Sequence, residues 1–374
     1  MSGSAGDNSK PRVVVLGGCG FIGRNLVENL VANDLVSGVR VVDKTPPQLA
    51  FLNPAHTKVF EDPRVEYKSA NLINPASCAS ALDPADGASW SLVINCAGET
   101  RVGQTEAVYA EGIVTLSTNV AKQCAKQNVP RLVEISSGHM YSSDKPHKES
   151  DPVEPWTVEG RMKYKVEQEL KKLEPELNYT VLRPAIVYGV ADRRSLTPRL
   201  LYGGIYKHLN ETMKLLWTAD LKMNTVHVTD VCRAAWTLGR HPDANRQVYN
   251  VVDDANTTQG SLAELVSDIF KINHDYYGTA ISTLAKNDIA SVAEEANDKH
   301  LTAWADICRR YSLAHTPLEP SAGAELLLNK RLCLSGEKLK AILQLDVPKP
   351  TTEKLLQVLE DYASMNLFPK ELLL

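Results

Sequence analysis

The chain has 374 residues, 43% hydrophobic and 23% charged, enough to bury a sizeable core as one large domain or two joined ones. A net charge of −4 leaves no basic footprint for nucleic acid, and no run of about 18 apolar residues offers a membrane span. Seven scattered cysteines (Cys19, Cys78, Cys96, Cys124, Cys232, Cys308 and Cys333) lack metal-ligand spacing and suggest a reducing, cytoplasmic setting, while the small polar residues 1–10 read as a disordered N-terminus without a signal peptide.

Arg12-Val13-Val14-Val15-Leu16 reads as a strand that runs straight into Gly17-Gly18-Cys19-Gly20-Phe21-Ile22-Gly23. Gly17 permits a tight turn, Gly20 lets the backbone approach a pyrophosphate, and Gly23 lets the next helix pack closely with its N-terminus aimed at the anion. Residues 24–33 put Leu26, Val27 and Leu30 on one helical face. Val39-Arg40-Val41-Val42 then forms a second strand that ends at Asp43, twenty residues beyond Gly23. A carboxylate there accepts hydrogen bonds from ribose hydroxyls and repels a 2′-phosphate, so NAD is expected over NADP, with Lys44 the one neighbour that blurs the choice. Cys19, inside the turn, reads as a small buried filler.

The rhythm continues with strands at 65–68, 91–98, 131–137 and 179–184, separated by helices that include 112–126 and a charged one around 163–173. Such alternation specifies an α/β fold: a Rossmann-type doubly wound parallel sheet, with its ligand across the carboxyl ends of the strands. Residues 190–224 read as irregular, 226–238 rejoins the core, and 248–252 is another buried strand. Residues 260–345 look helical with prolines, and 351–365 is a closing amphipathic helix. The expected organisation is an NAD-binding domain over 11–183 plus 223–238 and 246–253, with a smaller, mostly helical C-terminal substrate domain from 184–222 and 254–374.

Several ordered segments resemble the extended short-chain dehydrogenase/reductase family, which includes NAD-dependent nucleotide-sugar epimerases and dehydratases and the 3β-hydroxysteroid dehydrogenases. They are the glycine pattern, Ala70-Asn71-Leu72, Ala97-Gly98-Glu99-Thr100, Ile135-Ser136-Ser137-Gly138-His139-Met140-Tyr141, Leu182-Arg183-Pro184 with Tyr188-Gly189, Val226-His227-Val228-Thr229-Asp230-Val231, and Val248-Tyr249-Asn250-Val251. The similarity spans residues 11–364. It implies cofactor contacts from Gly17, Gly20, Phe21, Ile22, Gly23, Asp43, Lys44, Asn71, Leu72, Ala97, Gly98, Glu99, Lys163 and Pro184. A small hydroxyl-bearing substrate and a homodimer are implied as well.

The family's chemistry uses a tyrosine and a lysine four residues apart on one helix, and a serine or threonine from the preceding strand. The lysine lowers the phenol pKa so that the tyrosine can exchange a proton, and the serine holds the substrate oxygen. Ser137 fits the serine role. Aligning Val166-Glu167-Gln168 with the family's helix makes Lys163 the lysine and puts Glu159 where the tyrosine belongs; the other register, with Lys165, puts Arg161 there. Neither gives Tyr-x-x-x-Lys, and Tyr164 has Gln168 four residues on.

Glu159, Tyr141 and Tyr164 therefore stay open as the proton-transfer group, with His139 as a further strand-side source. Burial that raised its pKa would let Glu159 serve as a base, whereas a salt bridge to Lys163 would hold it low and leave it a weak one. His227, Arg183 and the Arg309-Arg310 pair read as structural or solvated, and residues 272–330 are expected to cover the substrate cleft. Three functions remain open: an enzyme acting on a nucleotide sugar with an atypical proton donor, a catalytically silent NAD-binding subunit, and a hydroxysteroid dehydrogenase.

Overall fold

The β-branched runs of the sequence align side by side in the computed structural model, which describes residues 10–84 and 87–373. β1 (Arg12–Leu16), β2 (Gly38–Asp43), β3 (Val65–Ser69), β4 (Leu92–Asn95), β5 (Leu132–Ile135) and β6 (Tyr179–Pro184) come first in the chain. β7 (Ile186–Tyr188), β8 (Met213–Leu215) and β9 (Thr225–His227) lie outside the main sheet, and β10 (Gln247–Val251) returns to its edge. The seven-stranded order is β10-β6-β5-β4-β1-β2-β3, with every pairing parallel.

A parallel sheet must be covered on both faces, so most residues on both sides of the central strands are apolar. Val13 and Val15 look toward α1 (Phe21–Ala32) and α8 (Val228–Arg240), packing with Leu26, Leu30, Val231 and Ala235. Val14 and Leu16 look the other way, into a layer built by α3 (Pro75–Leu82), α5 (Leu116–Lys126) and α6 (Val158–Lys172). Two short helices, α2 (Pro54–Phe60) and α4 (Glu106–Tyr109), fill the connections. A separate apolar cluster joins α7 (Thr197–Leu209), α9 (Gln259–Phe270) and the later helices Ile289–Arg310 and Thr352–Ser364 through Leu200, Phe270, Trp304 and Leu359.

Local departures from the expected elements have physical causes. The strands expected over 91–98 and 131–137 stop at Asn95 and Ile135, and the residues after them turn out of the sheet. Residues 197–209, expected to be irregular, form α7. The Gly203-Gly204 pair that weakens the helical signal is required there, since a Cβ on Gly203 would sit 2.3 Å from the Phe270 ring. The helix expected from residue 112 starts as a π-turn, Ala110–Thr115, before α5 begins. Within 260–345, most of 311–336 is non-helical. The N-terminus expected to be disordered lies outside the described residues apart from Lys10, whose ammonium bonds Asp34. No described helix is long and apolar enough to cross a membrane.

One buried ion pair ties α6 to the sheet. Arg183 in β6 donates from Nε to Glu167 Oε1 at 3.0 Å and from Nη2 to Oε2 at 2.5 Å, and Ser136 Oγ donates to Oε1 at 2.6 Å. Removing one partner strands the other charge in a low-dielectric interior. Glu167→Ala should therefore cost about 3–5 kcal/mol in urea unfolding; a loss below about 1 kcal/mol, typical of an exposed pair, would contradict this.

Candidate functional site

The strand order reverses between β1 and β4, which opens a crevice at their carboxyl ends. A cavity of about 960 Å³ runs from there to the C-terminal region. Gly17, at φ +69°, turns the chain off β1, and a Cβ on it would lie 2.7 Å from the backbone of Ala97. A Cβ on Gly23 would meet the carbonyl oxygen of Gly17 at 2.2 Å. The loop is thus drawn tight against both α1 and the end of β4, which exposes the helix N-terminus to an anion.

Asp43, at the end of β2, accepts the N–H of Cys19 at 3.0 Å and of Thr45 at 2.9 Å, so its carboxylate is fixed at the rim of the cradle. Burial raises its pKa and those hydrogen bonds restrain the rise. The Cys19 thiol is pushed up to about 12, chiefly by burial and then by Asp43, consistent with a protonated filler. Phe21, Ile22, Lys44, Asn71, Leu72, Ala97, Gly98, Glu99 and Pro184 all line the same cavity, as do Gly17, Gly20, Gly23 and Lys163. These groups together fit an adenine dinucleotide: a tight glycine turn, a helix N-terminus and a ribose-facing carboxylate.

Further along, Ser137, His139, Glu159 and Lys163 line the cavity from one side. Ser137 Oγ accepts the N–H of His139 at 3.2 Å and keeps its own proton available to a ligand oxygen. Lys163 is 5% exposed and donates to the Ile135 carbonyl at 2.7 Å, with Glu134 Oε1 4.0 Å away. Glu159 sits one turn earlier on α6, and among the described residues its carboxylate has no hydrogen bond or ion pair. Of the two alternatives for Glu159, the salt bridge with Lys163 does not form. Burial raises the Glu159 pKa, Lys163 lowers it, and Glu99 and Glu325 raise it further.

Two expected proton donors lie elsewhere. Tyr141 is 1% exposed and does not line the cavity: its hydroxyl accepts from Arg183, its ring stacks on His147 at 4.7 Å, and burial pushes its pKa up to about 12. Spacing from Ser137 is right for the site, but the buried Arg183 captures the hydroxyl. Tyr164 is partly buried against the apolar cluster that also holds Tyr141 and Leu182, and it too is off the cavity. His139 faces Trp156 at 4.7 Å, and burial, aided by Arg199, pulls its pKa down to about 4, so it is neutral at physiological pH. His227 caps α8 by accepting the Thr229 N–H at 3.3 Å, and Arg309 and Arg310 are exposed.

Several lining groups carry no sequence signal. Arg199 of α7 faces the cavity without a carboxylate partner among the described residues, its Nη2 reaching only Met223 Sδ at 3.9 Å. The turn before α7 is organised by buried Asp192, whose carboxylate takes the N–H groups of Arg194, Ser195, Leu196 and Thr197 at 2.8 to 3.0 Å. Arg193 and Arg194 line the cavity from that turn. Of the segment expected to cover the cleft, only residues 321–327 and Lys330 reach it, and Glu325 accepts the Val158 N–H at the start of α6 at 3.0 Å. A contact of 167 residues' separation leaves no local trace in the sequence.

The family model described as the NAD dependent epimerase/dehydratase family matches residues 13–251. No curated protein matches the chain by sequence. Among solved structures it is similar to UDP-glucose 4-epimerase of Thermus thermophilus in complex with NAD (19% identity, 94% of this chain and 99% of that one, TM-score 0.66). It is also similar to UDP-glucuronic acid 4-epimerase of Bacillus cereus with UDP-glucuronic acid and NAD (13%, 95% and 99%, TM-score 0.69). A third is a double mutant of dTDP-glucose 4,6-dehydratase from Streptomyces venezuelae with NAD bound (17%, 96% and 99%, TM-score 0.69). At these identities the likeness is one of fold.

The glycine packing makes a direct prediction for the cradle. Gly23→Ala should force the loop from its position at about 1–3 kcal/mol of strain. NAD affinity in isothermal titration should fall about tenfold to a hundredfold. Unchanged affinity would contradict the cradle.

Proposed function

Given that the chain belongs to the NAD-dependent epimerase/dehydratase family, we propose that it oxidises a hydroxyl of a nucleotide sugar, as an oxidoreductase, epimerase or dehydratase, with Glu159 as its proton-transfer group. The observation that carries this reading is the unpartnered Glu159 carboxylate, which lines one cavity with Ser137 and Lys163; in the register that makes Lys163 the family's lysine, it falls where the family has its tyrosine. Bound NAD supplies a hydride acceptor.

The residues of this chain then divide the work. Ser137 donates its free hydroxyl proton to the substrate oxygen and holds it in place. Glu159, ionised, takes the hydroxyl proton as the carbonyl forms and returns it when the carbonyl is reduced. Lys163 keeps its ammonium beside Gly98, where a Cβ would lie 3.4 Å from Nζ, and has protons left to hold a ribose hydroxyl. The nucleotide diphosphate needs cations, and Arg199, with Arg193 and Arg194 nearer the cradle, offers guanidinium groups facing the cavity. Neutral His139 and the Trp156 indole, whose Nε1 has no hydrogen-bond partner among the described residues, supply polar contacts without adding charge.

A carboxyl with a raised pKa gains its base form only as pH climbs through that raised value. The rate of substrate oxidation should therefore rise with a single-proton slope above the ordinary carboxylate range. Glu159→Gln should cut kcat by about a hundredfold or more, flatten that limb and leave NAD affinity in place. Tight NAD binding with no turnover by the wild-type chain on any nucleotide sugar would instead favour a silent cofactor-binding subunit.

Arg199→Met should raise KM for the nucleotide sugar by about tenfold to a hundredfold, the value of a charge-assisted hydrogen bond, with kcat little changed. An unchanged KM would remove Arg199 from substrate binding.

A further inference from the structure

Lys163 and Glu159 are placed four residues apart on α6, a spacing at which a lysine and a glutamate ordinarily pair. They do not pair, and the reason lies on the sheet side of the lysine. Glu134 in β5 is fully buried, and it accepts hydrogen bonds from Ser117 Oγ at 2.9 Å and from Asn95 Nδ2 at 2.8 Å. Asn95 is itself fixed, since its Oδ1 accepts the Ala97 N–H at 3.1 Å. The carboxylate is thus clamped by two neutral donors with its Oε1 4.0 Å from Lys163 Nζ, and the same ammonium donates to the Ile135 carbonyl at 2.7 Å. Few interior strand positions hold a carboxylate with nothing but a lysine to balance it.

We propose that Glu134 is a positioning residue that binds the charge of Lys163 on the sheet side and so leaves Glu159 free to carry a proton. The proposal rests on Glu159 as the proton-transfer group. Lys163 then serves two ends at once: a cation for the cofactor side of the cavity, and a charge already partly balanced as seen from Glu159. Burial, with Glu167 adding to it, raises the Glu134 pKa, while Lys163 and the hydrogen bonds from Asn95 and Ser117 restrain the rise, Lys163 being the one cation among these influences.

The other groups that face Glu159 act in the same direction. Glu99 from the loop after β4 and Glu325 from the segment over the mouth both disfavour its ionisation, and Tyr109 of α4 is coupled to it as a neutral phenol. Arg101 neutralises Glu99 at 2.7 Å and Arg161 approaches Glu325 at 3.9 Å, which leaves Lys163 as the cation whose balance decides the outcome.

The test reads the Glu159 carboxyl directly in the full chain, by infrared titration without substrate, with the Glu159→Gln spectrum identifying its band. In Glu134→Gln the uncompensated lysine should move the Glu159 midpoint to lower pH by about one unit. If that variant does not fold, Glu134→Asp, which draws the carboxylate back from Nζ, must lower the midpoint in its place. An unmoved midpoint in the folded variant overturns the proposal, as it would if Glu134 were protonated and exerted no charge on Lys163. Because the titration needs no turnover, its failure is separate from a failure of the chain to oxidise nucleotide sugars.

Discussion

An ammonium at 5% exposure needs a counter-charge, and the arrangement of the reactive end of the cavity follows from where Lys163 finds one. The Ile135 carbonyl and the Glu134 carboxylate hold it from the sheet, so the lysine is drawn toward the strand ends and away from its own helical neighbour. Ser137 follows Ile135 by two residues and is delivered to the same place by the end of β5. Glu167, one turn beyond Lys163, anchors α6 to β6 through Arg183, which fixes the height at which both Lys163 and Glu159 meet the cavity.

A phenol and a carboxyl place opposite demands on such a site. The phenol begins with a pKa far above neutrality and needs a nearby cation to bring it down; the carboxyl begins far below and needs burial and like charge to bring it up. Around Glu159 the net influence runs the second way: burial raises its pKa against the downward pull of Lys163, Glu99 and Glu325 add to the rise, and the Lys163 charge is shared with Glu134. In the proposed chemistry the exchange of tyrosine for glutamate is accompanied by an environment suited to the new group.

Much of the architecture was legible in the chain because it is local. The glycine turn, the apolar strands and the acid at the end of β2 lie within about forty residues, and their spacing specifies a βαβ unit with a ligand at its switch point. The seven parallel strands and the cavity lined by Gly17, Gly23 and Asp43 agree with that reading. Side-chain direction was less legible. Tyr141 has the right distance from Ser137 in sequence, yet the buried Arg183 and Glu167 pair decides where its hydroxyl goes. Arg199 was hidden because two glycines weakened the helix that carries it, and their purpose appears only with Phe270 packed against them. Glu325 and Glu134 act through contacts across elements, to which no periodicity points.

Hydride transfer coupled to proton movement in this cavity is the central claim, and single-turnover absorbance of the nicotinamide tests it most directly. The purified chain, loaded with NAD and mixed with a panel of nucleotide sugars, should develop reduced-nicotinamide absorbance with at least one of them, faster as pH rises. Stoichiometric NAD binding with no absorbance change across the panel and the pH range would contradict it.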